Sequence, residues 1–292
     1  MTLRFPNILA CLLAMIFFAG CTDMATDIAI IETTDIEITE AHHSTEGSIA
    51  EIPSVTASAQ PAQIRVLRLD NSEVDNAKLE RITLEHPGLV ELTLGGTQVT
   101  DAGLVHLQNL PILRVVRLAR TAITDAGMRY LAACETLENI DISQTEVGDA
   151  GLWELRTLPR VRNLNLFRTN VTDTGLDVFQ SNEFLSASSL ERLNLDRCAI
   201  TDAGIPKLAS LTNLQWLHLG VTGITDAGLA ELERLASLTE VIVTRTETTA
   251  EGVEKLRTSR PELTIRDNIS DNISQEAIDE AVEFRRQLER SQ

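Results

Sequence analysis

The five residues ITDAG stand at Ile123–Gly127, Ile200–Gly204 and Ile224–Gly228, with the variants VTDAG from Val99, VGDAG from Val147 and VTDTG from Val171. A longer period runs around them. Leu89, Leu113, Leu137, Val161, Leu190, Leu214 and Leu238 each open an LxxLxL segment, completed for example by Leu92 and Leu94 or by Leu217 and Leu219. The step is 24 residues except between Val161 and Leu190, where it is 29. A weaker copy, Ile64, Leu67 and Leu69, precedes the array by 25 residues. A fixed period of this length requires stacked supersecondary units, because one unit alone cannot bury its apolar face.

Each LxxLxL segment reads as a short strand whose alternate side chains enter the core, and identical turns would stack such strands about 4.8 Å apart in a parallel sheet. The return path reads DAGLxxLxxL, with Leu104, Leu107 and Leu110 or Leu229, Leu232 and Leu235 in one stripe. A three-residue step is helical. Asp101, Asp125, Asp149, Asp173, Asp202 and Asp226 stand at the start of that helix, where a carboxylate is expected to cap the free amides of the first turn. Pro206 fits the same first turn, where its missing N–H costs little. The glycine after each DA is expected to let the helix approach its neighbour. Thr97, Thr121, Thr145, Thr169, Cys198, Thr222 and Thr246 form a column separated by two residues from the end of each strand segment and are expected to satisfy buried loop backbone. Aromatic residues make up only 3% of the chain, so the core is built from aliphatic side chains. A calcium array on the aspartates is disfavoured, since calcium takes six or more oxygens and each turn offers one acid.

These residues at this spacing resemble leucine-rich repeats over Ile64–Ile265, and CAITDAGI from Cys198 is similar to the cysteine-containing branch best known from F-box adaptor proteins. The resemblance implies an α/β solenoid of about seven to eight repeats in residues 64–265, with a parallel sheet on the concave face and short helices on the convex face. It also implies that the sheet face binds another macromolecule. The longer turn between Val161 and Ser189 reads either as a tolerated surface loop or as a contact point.

The N-terminus adds an address. One charge at Arg4, an apolar run over Ile8–Gly20 and then Phe18-Ala19-Gly20-Cys21 describe a secretory signal too short to span a bilayer comfortably. FAGC resembles the lipobox of bacterial lipoproteins, in which the chain is cut before the cysteine and the Cys21 thiol carries lipid. Ordinary signal cleavage is the competing reading. With Thr22 next, the resemblance favours the outer membrane. Residues 1–20 are thus a signal peptide, and residues 21–63 an acidic tether without Lys or Arg, reaching about 35 Å as a coil. Within it Ile36 and Ile38 alternate with polar residues as in a short strand. His42 and His43 read as solvated rather than metal-binding. The expected location is the cell envelope, lipid-anchored and extracytoplasmic. Residues 266–292 carry an amphipathic helix with Ile278, Ala281, Val282, Phe284 and Leu288, either a lid on the last turn or a partner helix.

A net charge of -18 argues against a nucleic-acid partner. The chain has no HExxH, GxSxG, CxxC or phosphate-loop motif. No catalytic role, cofactor or metal is therefore assigned. Asp141 and Asp196, the carboxylates an enzyme acting on envelope polysaccharide would need as a pair, lie two turns apart. Cys134 and Cys198, three turns apart, are beyond disulfide reach. Outward positions on the sheet side nominate a protein-binding surface: Arg117, Arg120, Asn165, Phe167, Arg168, Asn194, Arg197, Trp216, His218 and Arg245. Arginine and exposed aromatics are what interface hot spots use. The competing reading of the arginines is a ladder of surface ion pairs with Asp and Glu on adjacent turns. The alternative function is a substrate-recognition adaptor of a ubiquitin-ligase-like complex.

Overall fold

The computed structural model describes residues 65–267 except residue 182. The signal, the tether with its Ile36–Ile38 alternation, Cys21, and the tail helix lie outside the described residues. Among the described residues, nine three-residue strands form one parallel sheet in sequence order: β1 Val66–Arg68, β2 Glu91–Thr93, β3 Val115–Arg117, β4 Asn139–Asp141, β5 Asn163–Asn165, β6 Arg192–Asn194, β7 Trp216–His218, β8 Glu240–Ile242 and β9 Thr264–Arg266. The central residue of each strand pairs with the next, from Leu67 and Leu92 through to Val241 and Ile265. That central row is buried, and the flanking rows present two columns of side chains outward. The weak first copy and the last LTI stretch at Leu263–Ile265 are thus full turns. The repeat pattern extends one strand beyond the eight the LxxLxL period predicts.

The return segments begin as α-helix and tighten to 3-10 helix, as in Asp101–Leu104 followed by Val105–Asn109 or Asp226–Glu231 followed by Leu232–Arg234. Gly175–Gln180 and Ile205–Ser210 are 3-10 throughout. A 3-10 helix rises about 2.0 Å per residue against about 1.5 Å for α, so few residues cross the back of a short turn. Pro206 sits at the start of its helix, where no N–H is required. The leucine stripes, with Met128 and Cys134, line a continuous core.

The repeated aspartate does not cap its own helix. At Asp101, Asp125, Asp149 and Asp226 it is the first helical residue, and its carboxylate reaches forward to the next turn: Asp101 Oδ1 accepts from Thr124 N–H at 2.8 Å and Oδ2 from the Thr124 hydroxyl at 2.7 Å. The same pair of bonds joins Asp149 to Thr172, Asp173 to Thr201, Asp202 to Thr225 and Asp226 to Thr249. Asp125 bonds only the amide of Gly148, which has no hydroxyl. The threonine is the cap, as at Thr124 and Thr225, whose hydroxyls accept from Ala126 and Ala227 N–H. The bonds from Thr249 hold the Asp226 carboxyl below its ordinary pKa. The DAG glycine is explained by the same contact, because a Cβ on Gly127 would lie 2.4 Å from Asp101 Oδ1 and one on Gly151 2.5 Å from Asp125 Oδ1. The expected close approach is real, and what approaches is the neighbour's carboxylate.

The hydroxyl column behaves as expected: Thr97, Thr121, Thr145, Thr169, Thr222 and Thr246 each donate to the carbonyl three residues back. Cys198 Sγ reaches the Leu166 carbonyl of the preceding turn at 3.0 Å. Both Cys198 and Cys134 are free and buried, and burial pushes the Cys134 thiol up to about 11. The 29-residue turn is packed inward. Phe179 and Phe184 stack edge to face at 4.9 Å inside the core, and the buried Ser186 hydroxyl donates to the Leu158 carbonyl. The extra residues therefore add core volume and pin the turn to its predecessor.

One column of the loop is left-handed in every turn from the first to the eighth: Asn71, Gly96, Arg120, Gln144, Arg168, Arg197, Val221 and Arg245 have φ between 51° and 70°. From Asn71 to Val221 their amides still bond to the next turn, as Arg120 N–H does to Ser143 O at 2.9 Å and Arg168 N–H to Asp196 O at 2.8 Å. The sheet spacing thus continues through this column.

Two outcomes test these constraints. Gly127→Ala should cost about 2 kcal/mol by forcing atoms apart. In urea unfolding, adding Gly127→Ala to Asp101→Ala should cost much less than on the parent, and additive losses would exclude the proposed contact. Val221→Asn should stabilise by about 1 kcal/mol, since a β-branched residue is the poorest choice for left-handed backbone. An unchanged or lower unfolding midpoint would contradict that.

Candidate functional site

The two outward columns of the sheet converge on a shallow groove of about 420 Å³ across β3 to β7. The strand backbone at Val116, Ile140 and Leu164, whose side chains are buried in the core, underlies it; Arg117, Asp141, Asn165, Asn194, Arg192 and Trp216 rise around it, with Asn139 and Asn163 between. The amide of Asn163 donates to Asn139 Oδ1. Asp141, Asn165 and Asn194 each turn an oxygen onto the backbone N–H two residues on, so their loops are closed locally. Trp216 is half-buried, with the Arg192 guanidinium 4.3 Å from its ring centroid and the His218 ring 5.7 Å away edge-on. Burial pushes the His218 imidazole below its ordinary pKa against the opposing pull of Asp196.

The nominated residues divide between two places. Arg117, Asn165, Asn194 and Trp216 line the groove, and His218 stands at its border. Arg120, Arg168, Arg197 and Arg245 belong to the left-handed loop column, beyond the strand ends. This corrects the expectation that they project from the sheet itself, because the chain has already turned when it reaches them. Arg120 and Arg168 line a second depression of about 590 Å³ with Thr97, Thr121, Gln144 and Glu146. Arg197 lies 6.0 Å from the centroid of the Phe167 ring, and Arg120 Nη2 donates to Asn71 Oδ1 at 3.1 Å.

The ion-pair ladder exists, but in the columns along the strands and not in the loop column. Arg68 pairs with Glu91, Arg114 with Glu138 at 2.6 Å, Arg162 with Glu191 and Arg266 with Glu240 at 2.7 Å. The Arg114 guanidinium holds the Glu138 carboxyl below its ordinary range. None of the four loop-column arginines has a carboxylate within 4.0 Å among the described residues. They occupy backbone that favours Gly or Asn. Trp153, on the helical side, is 40% exposed with Arg156 at 5.2 Å from its ring.

Asn139 and Asn163 were missed by the sequence reading. They stand immediately before the buried central residue of β4 and β5, the position that also carries Arg192 and Trp216. Reading that position through successive turns would have found them.

A leucine-rich-repeat family profile matches residues 186–209. Among solved structures, the internalin InlF of Listeria monocytogenes is similar at 19% identity with a TM-score of 0.54, covering 70% of this chain and 53% of that one. Internalin C2 of the same organism is similar at 20% identity with a TM-score of 0.51, covering 70% and 81%. This chain therefore spans about half the length of InlF. A leucine-rich-repeat protein of Leptospira interrogans gives 16% identity and a TM-score of 0.49, covering 69% of this chain and 54% of that one. No curated protein matches the sequence. Repeat pattern, nine-stranded parallel sheet and structural neighbours together establish that this chain folds as a leucine-rich-repeat solenoid.

Proposed function

We propose that the chain is a lipid-anchored protein of the bacterial cell envelope that binds a partner protein through the groove of its sheet. Leucine-rich-repeat folds serve in general as protein-interaction modules. The observation that carries the reading here is the Arg192–Trp216 pair standing over the groove beside four asparagines. A stacked aromatic and guanidinium supply rigid contact area, and side-chain amides pair with peptide groups of an incoming segment. The loop-column arginines form a basic edge beside the groove and favour an acidic partner by steering its approach. Anchoring rests on the FAGC sequence ending at Cys21. No reaction is assigned. A ubiquitin-ligase-like adaptor would need a ligase-binding module, and the described residues contain only repeats.

Capture from envelope extract should recover a partner with the parent chain. Trp216→Ala combined with Arg192→Ala should weaken capture about tenfold or more, as expected for hot-spot residues. Arg120→Ala, Arg168→Ala, Arg197→Ala and Arg245→Ala together should instead slow association and reduce its salt dependence. Capture indifferent to the Trp216 and Arg192 changes would remove the groove from the account. Separately, mass spectrometry of the mature protein should find acyl groups at Cys21, with Cys21→Ser releasing the protein from membranes. A mature chain that begins elsewhere without lipid would end the anchoring proposal.

A further inference from the structure

Asp70 and Asp196 occupy the same place in two turns of the solenoid, at the start of the loop after β1 and after β6. Asp70 is closed by its own chain: Oδ1 accepts from Gly95 N–H at 2.7 Å and Oδ2 from the Thr93 hydroxyl at 2.5 Å. At Asp196 the corresponding neighbours are His218 and Gly220. His218 Nε2 stands 3.9 Å from Asp196 Oδ2, and Asp196 Oδ1 is buried without a hydrogen-bond donor among the described residues. Thr244, one turn further on, adds a hydroxyl. A Cβ on Gly220 would lie 2.9 Å from His218 Nε2, 3.0 Å from Thr244 Oγ1 and 3.2 Å from Asp196 Oδ1. Three lone-pair atoms from three consecutive turns thus gather over one glycine.

We propose that Asp196, His218 and Thr244 receive a primary ammonium group, the side chain of a lysine on the partner that lies in the groove; this rests on the groove reading above. An ammonium has three donors and no acceptor, which matches a carboxylate, an unprotonated imidazole nitrogen and a hydroxyl oxygen. A carboxylate withdrawn from water is costly unless paired with charge, so a cation is favoured over a neutral donor. Lysine fits better than arginine, since acceptors gathered around one point suit a compact head rather than a planar fork. A metal ion is disfavoured, because no group of three or more His, Cys, Asp or Glu gathers anywhere among the described residues. Burial keeps His218 unprotonated at neutral pH, and Nε2 therefore retains its lone pair. The site adjoins the groove through Asn194, two residues before Asp196, and through Trp216. The charged groups around it are Arg192 on Trp216, Arg197 over Phe167, and Glu240 already held by Arg266. Ile242 and Asn194 are the strand neighbours of His218 and bring no charge. In acid, protonated His218 becomes a like charge to the ammonium and pairs with Asp196 instead.

The probe is Nα-acetyl-lysine N-methylamide added to the whole chain, read by saturation-transfer NMR, with the norleucine analogue as the control lacking the ammonium. The lysine probe should bind saturably in the millimolar range, about tenfold less well as norleucine or with Asp196→Asn, and should weaken once acid protonates His218. His218→Thr recreates the closed arrangement of Asp70 and Thr93, so that variant should fold at least as stably as the parent and lose the probe. Equal binding of norleucine, binding retained by Asp196→Asn, or no saturation at about 50 mM would each overturn the proposal. Trp153→Ala, on the helical side, should leave probe binding unchanged, and probe binding by the parent chain while the Trp216 and Arg192 variants leave partner capture unchanged would uphold this site and discard the groove reading.

Discussion

Between consecutive turns a single carboxylate reaches over a glycine to the amide and hydroxyl of a threonine, and the spacing of the whole solenoid is tied to that reach. Asp101 with Thr124 and Asp202 with Thr225 are two copies. Each copy closes buried backbone, seats the threonine as a helix cap and forbids a side chain at the glycine. The aliphatic core supplies most of the burial energy, but burial is indifferent to register. Directional bonds at every step fix how each turn sits on the last. The central strand residues stack in line because both edges of the turn are held.

Regular stacking makes departures from the repeat informative. The left-handed loop column asks for Gly or Asn in every turn, and it receives them at Gly96 and Asn71 but arginine at four other places. Those arginines have no carboxylate partner among the described residues, whereas the arginines flanking the strands form ion pairs. What these arginines gain inside the chain is modest, the Arg120 bond to Asn71 and the Arg197 contact with the Phe167 ring. Asp196 differs from Asp70 in the same manner: the scaffold closes one carboxylate and leaves the other facing His218 and Thr244.

Much of the solenoid was legible because its constraints repeat. Leu92, Val116 and Leu217 hold the same inward place in their strands by strand alternation, and the helical stripe has its own period, so the turn and its core could be read directly. The inward packing of the long turn was not legible. Phe184 and Ser186 lie in a stretch that looks like a loop, and only the folded chain brings Ser186 to Leu158. The candidate site was half legible. Trp216, Asn165 and Asn194 stood out, while Asn139 and Asn163 were passed over as one polar residue among many.

The sequence by itself determined the period, the strand and helix positions, the glycine and threonine columns and the aliphatic core, because each follows from local chemistry repeated at fixed spacing. Tertiary structure decided which partner each polar group finds. Asp101 faces Thr124 rather than its own helix, Arg114 meets Glu138 while Arg168 meets no carboxylate among the described residues, and Asp196 gathers with His218 and Thr244 over Gly220. Those contacts join residues one or two turns apart, and a sequence read turn by turn holds the residues but not the distances between them.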